Sequence, residues 1–341
     1  MSITKKYYIR GALLLVGVFI ILEIIARCLG LGTLPLYMLH PRIGVMFKPN
    51  QNIHIFGNHF VVNQYGMRSE PFAEKKHEFR MMVFGDSVVN GGNLTDQEGL
   101  ATSLLRNLLI EKGYKEPIVG NISAGGWCPV QWLAYAEEYG FFDADIVVLI
   151  ISSHDYIGYS MLGPLDENTT PTKRSFSALL VGIKRYLYPR LRKVIFKNNM
   201  KKPMLLTNNV SIEDEIKNGR HDLKEFLRLA NRDTKNVFVF QYLSQAETRN
   251  FTTEPGYQRI KEVCEESGIK PISLEPYFRK SIENGVNPYR DCIHPNIIGQ
   301  RIIAEAVMEN LSKDAFSSAD AYIKVIPVVD QKERSVLINS H

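Results

Sequence analysis

Short apolar runs alternate with amphipathic stretches through the middle of the chain. The apolar runs predict buried strands at Arg80–Gly85, Pro117–Ile122, Asp145–Ile151, Asn236–Gln241 and Lys270–Leu274. Helical spacing of apolar residues predicts helices at Glu98–Lys112, Pro129–Tyr139, Ile212–Ala230, Pro255–Ser267 and Pro295–Leu311. This alternation is typical of a parallel sheet covered by helices on both faces, so the pattern predicts an α/β fold.

The N-terminus carries a long apolar stretch, residues 11–31, behind the positive residues Lys5, Lys6 and Arg10. Its length is near the ~20 residues that span a bilayer, and the positive flank belongs in the cytoplasm. The two charges that interrupt it are Glu23 and Arg27. A cleaved signal peptide is the alternative, but it needs a shorter core and an Ala-x-Ala-like site, which Gly30-Leu31-Gly32 imitates poorly. We predict an uncleaved single-pass anchor in residues 1–33, with the rest of the chain outside the cytoplasm.

Other segments divide the remaining chain. Residues 34–78 are rich in turn residues and hold alternating runs at Asn52–Phe56 and His59–Val62, which predicts a small β-rich extension. The main domain is predicted at 79–312, with an insertion at 156–210. The tail, 313–341, holds one strand-like run, Tyr322–Val329, and then turns polar.

The insertion carries a strong local charge. From Lys173 to Lys202 it has ten Lys/Arg and no Asp or Glu, whereas the whole chain is only +5. Apolar and basic residues alternate over Phe176–Phe196, and Pro189 is expected to break or kink a helix there. Such a stretch favours contact with an anionic membrane surface or polymer. The alternative is a solvated flexible excursion. Nucleic acid is not expected, given the predicted compartment.

Three separated residues suggest nucleophilic catalysis. Ser87 follows a predicted strand end, and serines there lie at the edge of the sheet where ligands bind. Asp291 precedes His294 by three residues, so it can accept from one ring nitrogen while the other faces the serine. Each feature alone has a plain structural explanation, a turn or a helix cap. Together they form a nucleophile with an acid–base pair.

From about Phe79 to Leu311 the chain resembles the SGNH (GDSL-type) hydrolase superfamily. The matching segments are Phe84-Gly85-Asp86-Ser87, Asn121-Ile122-Ser123-Ala124-Gly125-Gly126 and Asp291-Cys292-Ile293-His294. The resemblance implies a three-layer, flavodoxin-like α/β/α fold with a five-stranded parallel sheet. It implies Ser87 as nucleophile, His294 as base, Asp291 as its orienting carboxylate, and an oxyanion hole that includes Ser87 and Gly126.

The third family block departs from the pattern. The family has Gly-x-Asn-Asp, whereas this chain has Ser152-Ser153-His154-Asp155. The asparagine normally donates to the oxyanion, so the resemblance puts His154 in that position. We expect His154 to serve as a substitute donor, the alternative being a structural histidine in a site of weak or altered activity.

Metal and cofactor motifs are missing from the sequence: no Cys/His cluster has zinc spacing, and no dinucleotide or Walker-type glycine loop stands out. We expect neither a metal nor a cofactor. A disulfide between Cys128 and Cys292 is conceivable, although two free buried thiols are favoured.

These observations favour a membrane-anchored esterase or O-acyltransferase of a bacterial inner membrane, facing the periplasm or cell exterior. The expected substrate is an acyl ester of an envelope or secreted polysaccharide, with acetyl as the expected acyl group. The alternative is a degenerate glycan-binding or scaffold protein of a polysaccharide assembly system. The oligomeric state is left open.

Overall fold

A computed structural model describes residues 3–74, 78–158, 165–195 and 211–311. The chain begins with helix α1, Ile3–Cys28. Its segment Tyr7–Cys28 is long and apolar enough to cross a membrane. Two antiparallel hairpins follow, β1 (Tyr37–His40) with β2 (Gly44–Phe47), and β3 (Gln51–Ile55) with β4 (Asn58–Val62). The region between the apolar helix and the main sheet is therefore β-rich.

The main sheet has five parallel strands, in the spatial order β6-β5-β7-β8-β9. Its strands are β5 Arg80–Gly85, β6 Ile118–Ser123, β7 Ile146–Ser152, β8 Val237–Tyr242 and β9 Ile272–Ser273. This is the flavodoxin-like order: from β5 the chain first adds β6 on one side, and then adds β7, β8 and β9 on the other side. The predicted α/β fold is thereby confirmed, and ligands of such folds bind beyond the carboxyl ends of the strands.

Helices cover both faces of the sheet. Their bounds are α2 Ser87–Asn90, α3 Ala101–Glu111, α4 Pro129–Tyr139, α7 Ile212–Asp233, α8 Gln245–Asn250, α9 Pro255–Glu266, α10 Glu275–Glu283 and α11 Ile297–Asn310. Two more helices, α5 (Ala178–Gly182) and α6 (Tyr188–Ile195), belong to the insertion. One core joins α4, α7 and α9 to the side chains of Phe84 and Leu149, together with the two hairpins. The second core joins α3, α10 and α11 to Val83 and Ile150. Alternating strand residues thus feed opposite layers.

Within the insertion, residues 178–195 form one continuous helical stretch. It consists of α5 (Ala178–Gly182), a π turn (Ile183–Leu187) and α6 (Tyr188–Ile195), and we call residues 178–195 the basic helix. The helix continues through Pro189 without a break, and the irregularity there is the π turn that precedes it. A proline lacks the amide for a normal helical bond, and the wider π turn directly before it is a common way to accommodate such an irregularity. The rest of the charged segment, 196–202, lies outside the described residues.

Two local expectations need correction. Pro295 does not lie in the first turn of the last helix, because Asn296 caps it and Pro295 forms an isolated bridge with Tyr289. Cys128 and Cys292 are both free, but only Cys128 is buried, since Cys292 is exposed. The strand-like run Tyr322–Val329 lies outside the described residues.

Candidate active site

Ser87 lies at the carboxyl end of β5. The strand ends at Gly85, Asp86 caps α2, and Ser87 is the first residue of that helix. Asp86 Oδ1 accepts a 2.8 Å hydrogen bond from the amide of Val88, which fixes the turn. A Cβ on Gly85 would lie 2.2 Å from the side chain of Val89, so the turn needs a residue without one. The serine is therefore presented on a tight strand-to-helix turn.

The loop before α11 brings His294 and Asp291 to this serine. His294 Nε2 is 3.0 Å from Ser87 Oγ, and His294 Nδ1 is 2.9 and 3.0 Å from the two carboxylate oxygens of Asp291. Asp291 Oδ1 also accepts hydrogen bonds from the amides of Ile293 and His294, at 3.0 and 2.8 Å. The three residues predicted to act together are thus in contact.

The electrostatics of Asp291 set the tautomer of the histidine. Desolvation raises the pKa of Asp291, but the two amide hydrogen bonds and the His294 ring outweigh it and lower the pKa to about 2. The carboxylate is therefore ionised at neutral pH and accepts the Nδ1 proton. In the neutral ring this leaves Nε2 as the acceptor toward Ser87. This geometry meets the requirements for a serine nucleophile activated by a histidine base.

Contacts with β8 and with the residue after α2 hold the loop that carries Asp291 and His294, which we call the base loop. The Tyr242 hydroxyl at the end of β8 donates to the carbonyl of Ile293. Arg290 donates its amide to the carbonyl of His294 at 2.8 Å and its guanidinium to the carbonyl of Gly91 at 3.1 Å. Because Gly91 follows α2 directly, Arg290 joins the loop after Ser87 to the base loop. Nothing in the sequence motifs pointed to Arg290.

His154 follows β7 and lies between two carboxylates. Its Nε2 is 3.2 Å from Asp155 Oδ1 and 3.6 Å from Asp86 Oδ2. Desolvation lowers the pKa of His154, but the hydrogen bond to Asp86 and the negative charges of Asp155, Asp86 and Glu254 raise it to about 9. The ring is therefore an imidazolium at neutral pH. Burial, and then the charge of Asp86, raises the pKa of Asp155.

This cluster is also where three groups able to ligate a metal converge among the described residues. The ligand atoms of Asp86, His154 and Asp155 all lie within 4.8 Å of one another. Two carboxylates thus flank the His154 ring beside the nucleophile turn.

The segment after β6 contributes structural support and one glycine. Asn121 is fully buried and donates 2.9 and 3.1 Å hydrogen bonds to the carbonyl of Val89 in α2 and the hydroxyl of Thr102 in α3. Gly126 adopts a left-handed φ of 76°, which favours glycine. The ends of β5 and β6 pair in register through Gly85 and Ser123, so Ser87 and Gly126 follow neighbouring strand ends.

Arg68 supports the loop after Ser87, and none of the sequence motifs pointed to it. It is buried, and its guanidinium donates to the backbone carbonyls of Asn90, Gly92 and Thr95. The guanidinium also lies 4.1 Å above the ring of Phe60 in β4. Desolvation lowers the pKa of Arg68 to about 9. The β-rich segment thus contributes a cation that holds the loop following Ser87.

Fold and site together define a three-layer α/β protein with a serine–histidine–aspartate arrangement at the edge of its sheet. No protein-family model matches the chain, and no curated protein matches it.

Among solved structures, the chain is similar to a member of the lipolytic protein G-D-S-L family from Veillonella parvula, with 13% identity, TM-score 0.39, and coverage of 69% of this chain and 99% of that one. It is also similar to the acetyl xylan esterase AlAXEase, with 15% identity, TM-score 0.43, and 69% and 100% coverage. A third is the acetylxylan esterase Axe2 of Geobacillus stearothermophilus, in a mutant form, with 14% identity, TM-score 0.43, and 70% and 95% coverage. At identities this low, the activity has to be inferred from the site itself.

Proposed function

We propose that this protein is an ester hydrolase or O-acyltransferase that works through an acyl-Ser87 intermediate. The observation that carries the proposal is the continuous hydrogen-bond chain from Asp291 through His294 to Ser87 Oγ. Such a chain gives a weak nucleophile both a base and a fixed tautomer of that base. No cofactor has a part in this scheme.

In the proposed reaction, His294 Nε2 takes the proton of Ser87 as Oγ attacks the ester carbonyl. The tetrahedral intermediate then collapses, and His294 returns the proton to the leaving alcohol oxygen. Water or a sugar hydroxyl next attacks the acyl-Ser87 carbonyl, with His294 again taking the attacking proton. The second tetrahedral intermediate then collapses: the bond from the acyl carbon to Ser87 Oγ breaks, His294 returns its proton to Oγ, and the carboxylic acid or the new ester departs. Asp291 stays ionised throughout and stabilises the transient imidazolium.

The oxyanion hole is proposed to consist of the backbone amides of Ser87 and Gly126 and the ring of His154. Positive φ at Gly126 and the level ends of β5 and β6 support the two amide assignments. The raised pKa of His154 supports the third, because the ring keeps a proton on both nitrogens at neutral pH. A cation beside the developing negative charge would stabilise it more than a neutral amide does.

We propose an acetylated polysaccharide of a bacterial envelope or secretion as the substrate. The site is open: 44% of the Asp291 side chain and 47% of the His154 side chain are exposed. An open edge of this kind accommodates a polymer that carries small acyl groups. The proposed compartment is the periplasmic or outer face of the inner membrane, with α1 as an uncleaved anchor whose apolar side chains are largely exposed.

A covalent probe tests the mechanism directly. The full chain in detergent is treated with a fluorophosphonate, digested and analysed by mass spectrometry. We expect the adduct on Ser87, and no adduct in the Ser87→Ala variant. A slower reaction is expected in His294→Ala, which keeps the serine but lacks the base. An adduct on another residue, or none on a folded protein, would overturn the serine mechanism and favour a binding or scaffold role.

Hydrolysis and transfer differ only in the acceptor. With 4-nitrophenyl acetate as the acyl donor, the release of 4-nitrophenol is followed with and without an oligosaccharide acceptor. The masses of the sugar products are then measured by mass spectrometry. Acetylated oligosaccharide would identify a transferase, whereas acetate alone would identify an esterase.

A further inference from the structure

The basic helix carries an exposed apolar row that nothing in the described structure covers. Its members are Leu180, Ile183, Leu187, Tyr188 and Leu191. Their spacing of three or four residues, with one adjacent pair, places them on one side of the helix. Phe176, just before the helix, is 96% exposed. Large apolar side chains gathered in this way mark a contact surface.

Positive charges flank this row. The basic helix carries Lys184, Arg185, Arg190 and Arg192, and no carboxylate residue occurs between Lys173 and residue 202. Within the described parts of the chain, Lys184 and Arg192 form no hydrogen bond or ion pair. Arg185 and Arg190 donate only to backbone carbonyls. The carboxylate of Asp166 lies near enough to Arg185 for an electrostatic interaction. The charges of Lys184, Arg190 and Arg192 are left for an anionic partner.

The start of the basic helix is fixed to the end of α1. The Glu23 carboxylate accepts hydrogen bonds from the Ser177 hydroxyl and from the amides of Ala178 and Leu179, at 2.8, 2.9 and 3.0 Å. Arg27 donates to the carbonyl of Phe176 at 2.6 Å. The two charges that interrupt the apolar stretch of α1 thus hold the basic helix against it.

Close backbone packing supports the same junction. A Cβ on Gly32 would lie 2.7 Å from Cβ of Ala178, and one on Gly182 would lie 2.9 Å from the side chain of Leu31. On its other side, the ring of Tyr186 meets Phe56 of the β3–β4 turn edge to face at 5.6 Å. The basic helix therefore touches both the end of α1 and the β-rich segment.

We propose that the basic helix lies in the surface of an anionic phospholipid bilayer beside the outer end of α1. This rests on the proposed membrane anchor. The apolar row enters the boundary of the acyl chains, and the cations lie at the level of the lipid phosphates, as in interfacial amphipathic helices. Tyr186 of the basic helix contacts Phe56 at the β3–β4 turn, and Phe60 of β4 packs against Arg68, which holds the loop after Ser87. Through this series of contacts, the basic helix would fix the height and tilt of the active-site edge of the sheet above the membrane.

Site-specific fluorescence in the full-length protein tests this placement. The exposed Cys28 and Cys292 are replaced by serine, and an environment-sensitive dye is attached at Leu187→Cys. The protein is placed in nanodiscs of phosphatidylcholine alone or mixed with phosphatidylglycerol, with and without a quencher on the acyl chains. The control is a dye at Lys217→Cys, an exposed position on α7.

We expect blue-shifted, quenchable emission at position 187 in anionic nanodiscs, and none at position 217. The shift should weaken as salt rises, because the Debye length shortens. The docking equilibrium of the Lys184→Glu/Arg192→Glu variant should be at least tenfold weaker, because each cation near an anionic surface raises the binding constant roughly fivefold. The charge-preserving Lys184→Arg/Arg192→Lys variant should behave as the parent does.

Emission typical of water in every nanodisc would overturn the proposal. So would equal docking on neutral and anionic lipid, since charge would then have no part. A shift produced by a soluble acidic polysaccharide but not by lipid would assign the surface to that polymer instead. The Ser87→Ala variant should dock normally, which separates failure of this proposal from failure of the serine mechanism.

Discussion

Replacing His154 separates its proposed catalytic role from its structural one. If the imidazolium donates to the oxyanion, His154→Ala should lower kcat by roughly 10²–10³, or about 2.7–4 kcal/mol of transition-state stabilisation, with little change in KM. Removing the ring also leaves Asp86 and Asp155 without the cation between them. His154→Asn is the matched control, because it restores a neutral donor while removing the charge.

The pH dependence gives a second readout. The folded protein raises the pKa of His154 from an ordinary value of 6.5 to about 9. The charged ring is thus favoured by folding, and its contribution is complete below the ordinary value and is lost as pH rises through about 9. The activity of the wild type should therefore fall as pH rises through about 9, whereas the activity of His154→Asn should not fall in that range.

The assay is steady-state hydrolysis of 4-nitrophenyl acetate from neutral pH to well above the pKa of His154. Thermal unfolding curves of each variant show whether the fold is intact. Equal kcat in wild type and His154→Ala, with the same alkaline limb, would refute the role of His154 in the oxyanion hole. A fall in Tm without any fall in kcat would leave the ring as a structural ion-pair partner.

Two further substitutions test the supporting contacts. Asp291→Asn should lower kcat by roughly 10⁴-fold without weakening the fold, because the amide cannot hold the Nδ1 proton in the same way; steady-state kinetics together with a thermal melt measure both, and a kcat near that of the wild type would contradict the proposed orientation. Arg68→Met should destabilise the protein by about 3 kcal/mol, since three buried carbonyls lose their donor; urea unfolding measures this, and an unchanged midpoint would show that the loop after Ser87 does not need the brace.

Local pattern was sufficient for most of the regular elements. The observed β5 has the predicted bounds, Arg80–Gly85, and α4 has the predicted bounds, Pro129–Tyr139. Both are well marked in the sequence: β5 is a continuous apolar run ended by glycine, and α4 starts with proline and stops at Gly140. The shortest elements were less predictable. β9 has only two residues, and the short helices α2 and α8 were not predicted, because a few residues carry little periodicity. The nine-residue helix α10 was not predicted either.

The sequence alone predicted the fold class and grouped Ser87, Asp291 and His294, since a strand-end serine, a closely spaced acid–base pair and the motifs around them are local features. Only the tertiary structure decided what surrounds them. It set His154 between two carboxylates, aimed Arg68 at the loop after Ser87, and turned Glu23 from an interruption in an apolar stretch into a cap for the basic helix. These contacts join residues distant in the chain. Their partners are chosen by how layers and loops pack, which hydrophobic period and motif spacing do not encode.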